Sequence, residues 1–158
     1  MADPSTSSAQ ALQTGTFAFL FTDIEGSTRR WEQYPEQMHA AIARHDALLR
    51  EAIEANGGHV FKTIGDAFCA AFVTASNALD AALAAQRAVH TEGWGAVGEL
   101  WVRMALHSGT AETRDNDYFG SPLRLAAQPG GAPAIGRAWR PGATVAATLR
   151  TGARPSTC

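Results

Sequence analysis

Cysteine is scarce in this chain of 158 residues: there are two, Cys69 inside an apolar segment and Cys158 at the last position. That count and spacing exclude a disulfide framework and a metal knuckle, and they fit a reducing cytosol. No stretch approaches the roughly 18 continuous apolar residues of a membrane helix. The opening MADPSTSSAQALQTG has no basic region followed by an apolar core, so it does not read as a secretion signal. Charge of one sign is lacking too. Thirteen basic and fifteen acidic side chains leave a formal charge of −2, too little to draw the whole chain to nucleic acid or to an anionic membrane. Partners must be selected by a specific site. What is abundant is apolar character, 46% of residues, enough for one packed core and too little for two ordinary domains.

Thr16 to Thr22, TFAFLFT, is aromatic and β-favouring, too short for a helix of its own, and runs into Asp-Ile-Glu-Gly-Ser-Thr. It reads as a buried strand entering a loop, with residues 1–15 a loose leader. From about Pro35 to Ala55, Met38, Ile42, His45, Leu49 and Ile53 recur at helical spacing, closed by Asn56-Gly57-Gly58, which predicts a helix laying that stripe on a sheet. His59–Ile64 and Ala67–Val73 flank Gly65-Asp66, a pair suited to a tight hairpin turn with Asp66 at its tip. Ala75 to His90 reads as a second helix with Leu79, Leu83 and Val89 on one side, ended by Gly93-Trp94-Gly95. Leu100, Val102, Met104 and Leu106 then alternate with Trp101, Arg103, Ala105 and His107, the period of a half-buried strand. The order is β-α-β-β-α-β.

After Asp117 the composition changes. No acidic residue and no lysine follows, and arginine, alanine, glycine and proline dominate to Cys158, with Pro129, Pro133, Pro141 and Pro155 breaking any long helix or central strand. The tail, residues 124–158, has no repeating apolar period and reads as irregular.

Asp23 ends the first strand and Asp66 tips the hairpin, so a sheet that sets these strands side by side gathers two carboxylates at one edge. Paired carboxylates repel unless a cation joins them. Hard divalent ions are commonly held by one or two carboxylates plus substrate phosphates, which suits a nucleoside-triphosphate site. Taken singly, Asp23 equally suits a turn or helix start, and Asp66 its hairpin. Glu25-Gly26-Ser27-Thr28 can offer backbone N–H groups to phosphates, or Ser27 or Thr28 can simply cap a helix. Lys62 lies on the strand ahead of the hairpin, where a cation aimed into a cleft would meet a base or a phosphate. Asp117, beside Tyr118 and Phe119, is a possible acceptor for an amino group. His39, His45, His59, His90 and His107 show no ligand spacing and read as packing residues.

FTDIEGST, FKTIGDAF, VRMALHSGTAE and DNDYFG, in this order, strongly resemble the class III adenylate/guanylate cyclase catalytic domain, closest to the bacterial type found at the front of large transcriptional regulators. The likeness covers about Thr16 to Leu123. The Gly-Gly-Asp/Glu-Glu-Phe hairpin of the related diguanylate cyclases is absent. The resemblance implies an α+β, ferredoxin-like βαββαβ fold, here without its final helix and strand. It implies two Mg²⁺ or Mn²⁺ ions on Asp23 and Asp66 with help from the Ile24 carbonyl, a phosphate-binding turn at Glu25, Gly26, Ser27 and Thr28, and adenine selection by Lys62 with Asp117. The activity implied is conversion of ATP to cyclic AMP and pyrophosphate in the cytoplasm, in a homodimer or a heterodimer with another cyclase chain, with no nucleic-acid or membrane partner. The family continues with a helix opening near Asn-Arg-x-Ala-Arg, but Arg124 stands at the aligned asparagine and Gln128 at the aligned arginine. The resemblance therefore implies a chain weak or inactive alone; the alternative is a non-catalytic nucleotide-binding or interaction domain, or a half-site for an intact partner.

The genetic code offers a reason for the departure. With synonymous codons chosen freely from Leu123 onward and read one base late, the chain spells FGSPLNRVARLLSAAHGGQVLLS, which restores the Asn-Arg-Val-Ala-Arg helix start and repeats Phe119 to Leu123. A short tandem duplication out of step with the codon frame accounts for both; the alternative is a natural arginine-rich tail that binds something acidic. Sequencing the gene is expected to show a near-repeat of the bases encoding Phe-Gly-Ser-Pro-Leu around Leu123, and a gene without one rules the duplication out.

Overall fold

The computed structural model describes residues 13–120. Five strands form one antiparallel sheet in the order β2-β3-β1-β4-β5, with three α-helices. In chain order these are β1 (Gln13–Ile24), α1 (Ser27–Gln33), α2 (Pro35–Ala55), β2 (His59–Ile64), β3 (Ala67–Phe72), α3 (Ala75–Thr91), β4 (Val102–Arg114) and β5 (Asp117–Phe119). This is the α+β, ferredoxin-like arrangement, with β1 central between β3 and β4. The expectations about residues 124–158, including a missing final helix and strand, lie outside the described residues.

β1 is buried on both faces, which is why its sequence is a continuous apolar run rather than an alternating one. Ala18, Leu20 and Ile24 join the core beneath the helices, while Phe19 and Phe21 belong to a second, aromatic cluster on the opposite face. The strand starts at Gln13 rather than Thr16, because Gln13 to Gly15 continue the ladder against Thr113 to Ala111 of β4.

α2 has the expected limits, with Pro35 at its first turn and Gly57 at φ 75° beyond its end. Met38, His45, Leu49 and Ile53 are fully buried. α3 differs from expectation in which side chains it buries. Ala78, Ala81, Ala82 and Ala85 face the core while Leu79 is only partly buried against it, since small side chains let the helix lie close to the sheet. Gln86 of α3 is buried and donates Nε2–H to the Val102 carbonyl at 2.7 Å, which ties the helix to the first residue of β4. Thr74 caps α3 by accepting from the Asn77 N–H at 3.1 Å. An apolar recess of about 150 Å³ between the start of α3 and the sheet is lined by Ala18, Ala78, Leu79 and Leu106.

Two elements were not expected. α1 has no buried residue and hence no apolar stripe to announce it. β5 is a strand of three residues joined to β4 through Asp115 at φ 50° and Asn116 at φ 62°, residue types that tolerate the left-handed region of a tight hairpin.

Gly58 sits where α2 hands over to β2. A Cβ there would overlap the Phe72 ring and lie 2.7 Å from Ile53 Cγ2, and both neighbours are buried. Gly58→Ala is expected to destabilise the fold by about 1–3 kcal/mol through overpacking, read as a lower urea midpoint at unchanged slope; an unchanged midpoint would mean the junction can shift.

Candidate functional site

Register places the two carboxylates. Thr22 of β1 pairs with Phe68 of β3, so Asp23, next along β1, and Asp66, in the turn before β3, emerge at the same edge of the sheet. The backbone around that edge is tied down. Beyond β1, the Glu25 N–H donates to the Trp101 carbonyl at 2.8 Å, and Gly26 turns the chain into α1 at φ 66°. Arg30 of α1 donates to the carbonyls of Val97 and, at 2.6 Å, Glu99, which pins α1 to the loop entering β4. Neither Ser27 nor Thr28 caps α1: Gly26 occupies the cap position and no side chain bonds there.

Asp23 lies opposite Arg103 of β4, and the guanidinium grips its carboxylate with both prongs, Nε to Oδ1 at 2.7 Å and Nη2 to Oδ2 at 2.6 Å. The hydrogen bond to Asp23 holds the Arg103 pKa above its ordinary range; partial burial opposes this, and the charges of Asp23, Glu25 and Asp66 support it. Arg103 is thus bonded to Asp23 and feels the charges of Glu25 and Asp66 at longer range. Sequence reasoning saw Arg103 only as the polar phase of an alternating strand, because its partner is identified solely by the β1–β4 register.

Phe68 is a buried wedge under the hairpin turn. The ring of His45 meets it edge-on at 5.9 Å, and Arg50 lies over it at 5.3 Å from the centroid. His45 Nδ1 bonds Asp46 Oδ1 at 2.8 Å. On this buried side Thr22 Oγ1 and His45 Nε2 have no hydrogen-bond partner among the described residues.

The other two candidates gather elsewhere. Lys62 is exposed on β2 and pairs with Cys69 of β3. Asp117 opens β5, its Oδ1 accepting the Tyr118 N–H at 2.9 Å. Burial pushes the Cys69 thiol pKa up, with Lys62 lowering and Asp117 raising it, so both charges act on one sulfur. Lys62 and Asp117 thus both act on Cys69 from the outer strands β2 and β5. Arg124 and Gln128 lie outside the described residues.

A divalent cation fits the donor chemistry of the edge. Among the described residues no group of three or more His, Cys, Asp or Glu side chains converges. An ion there would take Asp23, Asp66 and the Ile24 carbonyl, with water or phosphate oxygens completing its shell, a set suited to Mg²⁺ or Mn²⁺ rather than to a softer metal. No described helix is long and apolar enough to cross a membrane.

Residues 9–116 match the family described as the adenylate and guanylate cyclase catalytic domain. An adenylate cyclase of Podospora anserina is 35% identical over 142 residues, covering 73% of this chain and 6% of that protein. An uncharacterized protein of Mycobacterium tuberculosis is 38% identical over 117 residues, covering 73% of this chain and 39% of that one. The chain thus spans well under half the length of either relative. Among solved structures, an adenylate/guanylate cyclase/hydrolase from Silicibacter pomeroyi has a TM-score of 0.64 at 28% identity, covering 73% of this chain and 69% of its own. A Trypanosoma brucei adenylate cyclase in its monomeric state has a TM-score of 0.67 at 24% identity, covering 71% and 66%, a likeness of fold alone.

The Arg103–Asp23 pair is about a third exposed on both sides, 34% and 29%, so solvent screens it. Asp23→Asn and Arg103→Met are each expected to change folding stability by about 1 kcal/mol or less in urea titrations; a much larger loss would make the pair a structural strut.

Proposed function

The chain belongs to the adenylate and guanylate cyclase catalytic domain family, and from that premise we propose that it acts on ATP, forming 3′,5′-cyclic AMP and pyrophosphate at a site shared between two chains. One chain brings Asp23, Asp66 and the Ile24 carbonyl to the triphosphate; the other brings Lys62 and Asp117 to the adenine. The observation that carries this reading is the convergence of Asp23 and Asp66 at one sheet edge, where Arg103 bonds Asp23 and feels the charge of Asp66. The chemistry supplied there by bound Mg²⁺ or Mn²⁺ is a lowered pKa of the ribose 3′-hydroxyl and neutralisation of triphosphate charge.

The chain's own groups do the rest. Arg103 keeps the carboxylates compensated before substrate arrives, so the edge folds without leaving anions unpaired, and it remains charged when Asp23 takes a metal. The turn from Gly26 to Thr28 offers backbone N–H groups with no side-chain cap competing for them, the Glu25 N–H being held by the Trp101 carbonyl. Lys62 donates to the base and Asp117 accepts from its amino group, the pattern that separates adenine from guanine.

Arg124 and Gln128, standing where the family resemblance places asparagine and arginine, favour a second reading: ATP and metal bind without turnover, or the chain lends its metal-bearing half to an intact partner. Loss of a cation that neutralises the transferring phosphoryl group costs on the order of 10³-fold in comparable sites.

The chain, assayed with Mn²⁺ and ATP beside an intact cyclase chain of the same family, is expected to raise cyclic AMP above that of the partner alone, and Asp23→Asn or Asp66→Asn is expected to remove the increment. Calorimetric binding of Mn²⁺–ATP with no product favours the second reading. Neither binding nor product overturns both.

A further inference from the structure

β2 and β5 are the two outer strands of the sheet, separated by β3, β1 and β4. Their aromatic rings nevertheless touch: Phe61 and Tyr118 lie 4.8 Å apart between centroids, tilted by 56°. The sheet is rolled until its edges meet on the face away from the helices. The contact rests on a floor of further rings, with Tyr118 edge-on to Phe17 at 5.1 Å and to Phe19 at 5.5 Å, and Phe61 edge-on to Phe19 at 6.1 Å. Phe19 is fully buried.

Two local features aim the neighbouring charges from this contact. Val60 pairs with Ala70 and Lys62 with Cys69, so Phe61 is an extra residue in β2 that no residue of β3 matches. Such a bulge re-aims the side chains around it; here Phe61 joins the aromatic cluster beside Cys69, and Lys62 follows on the strand opposite Cys69. On the other edge, Asp117 immediately precedes Tyr118, and its carboxylate accepts the Tyr118 N–H at 2.9 Å. β5 has only three ladder pairs with β4, Glu112–Phe119, Thr113–Tyr118 and Arg114–Asp117. So short an edge strand is weakly held by its own ladder.

We infer that Phe61 and Tyr118 are positioning residues: their rings latch the two edge strands together and thereby fix the spacing of Lys62 and Asp117, the pair that reads the purine. This deepens the proposed adenine site and rests on it. The latch touches neither base nor phosphate; its effect is carried by the peptide links to Lys62 and Asp117. An aromatic pair of this kind is worth about 2- to 10-fold in an equilibrium, and that is the size of effect expected on the preference for ATP over GTP.

The test uses the full chain and its Phe61→Leu, Tyr118→Leu, Tyr118→Phe and Lys62→Ala variants, each verified as folded by urea titration, with Phe61→Met in reserve if a leucine variant does not fold. Equilibrium binding of Mn²⁺–ATP and Mn²⁺–GTP is measured by calorimetry, and iodoacetamide alkylation of Cys69 is followed by peptide mass spectrometry, which separates it from Cys158. The leucine variants are expected to lower the ATP preference about 2- to 10-fold and to speed Cys69 alkylation, while Tyr118→Phe keeps the ring and retains both properties. Faster alkylation with an unchanged preference, where Lys62→Ala abolishes that preference, overturns the positioning role and leaves the rings as packing only. Unchanged alkylation in both leucine variants overturns the latch itself. If the unmodified chain binds neither nucleotide, or Lys62→Ala leaves the preference intact, the adenine-site reading fails and the selectivity role with it, while the Cys69 rates still decide whether the rings hold the edges together.

Discussion

The register of β1 against its two neighbours is the constraint on which the rest of the molecule depends. β1 pairs over five positions with β3 and over its whole length with β4, and each pairing delivers a charged residue to the same edge. β3 brings Asp66 up in the turn that precedes it, and β4 brings Arg103 opposite Asp23. Because strand side chains alternate, a slip of a single residue in either ladder would turn the carboxylates or the guanidinium to the other face. Burial of β1 on both faces forbids that slip. Ala18, Leu20 and Ile24 are committed to the helices, and Phe19 and Phe21 to the aromatic cluster.

The same two-sided burial explains how one sheet carries two unlike regions. The helix-covered side is an alanine-lined, close-packed core, with Gln86 spending its amide on the Val102 carbonyl. The open side is a set of rings that draws β2 and β5 towards each other. Charge is excluded from both interiors and appears where strands end or bulge: Asp23 and Asp66 at one edge, Lys62 and Asp117 around the ring cluster. Arg103 makes the first group tolerable by balancing anions that would otherwise repel at close range, and the bulge at Phe61 makes the second possible.

Much of the fold was legible because its boundaries are chemical. Pro35 and Asn56-Gly57-Gly58 bracket α2, and Gly65-Asp66 marks the hairpin, with Gly65 at φ 58°. The parts that were not legible lack such signals. α1 fully buries no residue and lays only Trp31 against the core, so no period exists to be seen. β5 is too short for alternation and depends on Asp115 and Asn116 turning through positive φ. In α3 the leucines drew attention as the large apolar side chains, yet the alanines are buried, since the depth at which a helix sits on a sheet is set by the gap between them and not by helix periodicity.

The order of elements, the place of Asp23 and Asp66 at the ends of strands, and the likeness to nucleotide cyclases were all fixed by local chemistry: strand-forming runs, turn residues and short blocks of sequence that one chain displays in a line. Three things were decided only by tertiary structure, namely that Arg103 is the counter-ion of Asp23, that Lys62 and Asp117 both act on Cys69, and that Phe61 meets Tyr118 across a rolled sheet. The first joins residues distant in sequence through a strand register and the other two through the roll of the sheet, and both register and roll are properties of the packed core as a whole, settled when both faces of β1 are buried at once.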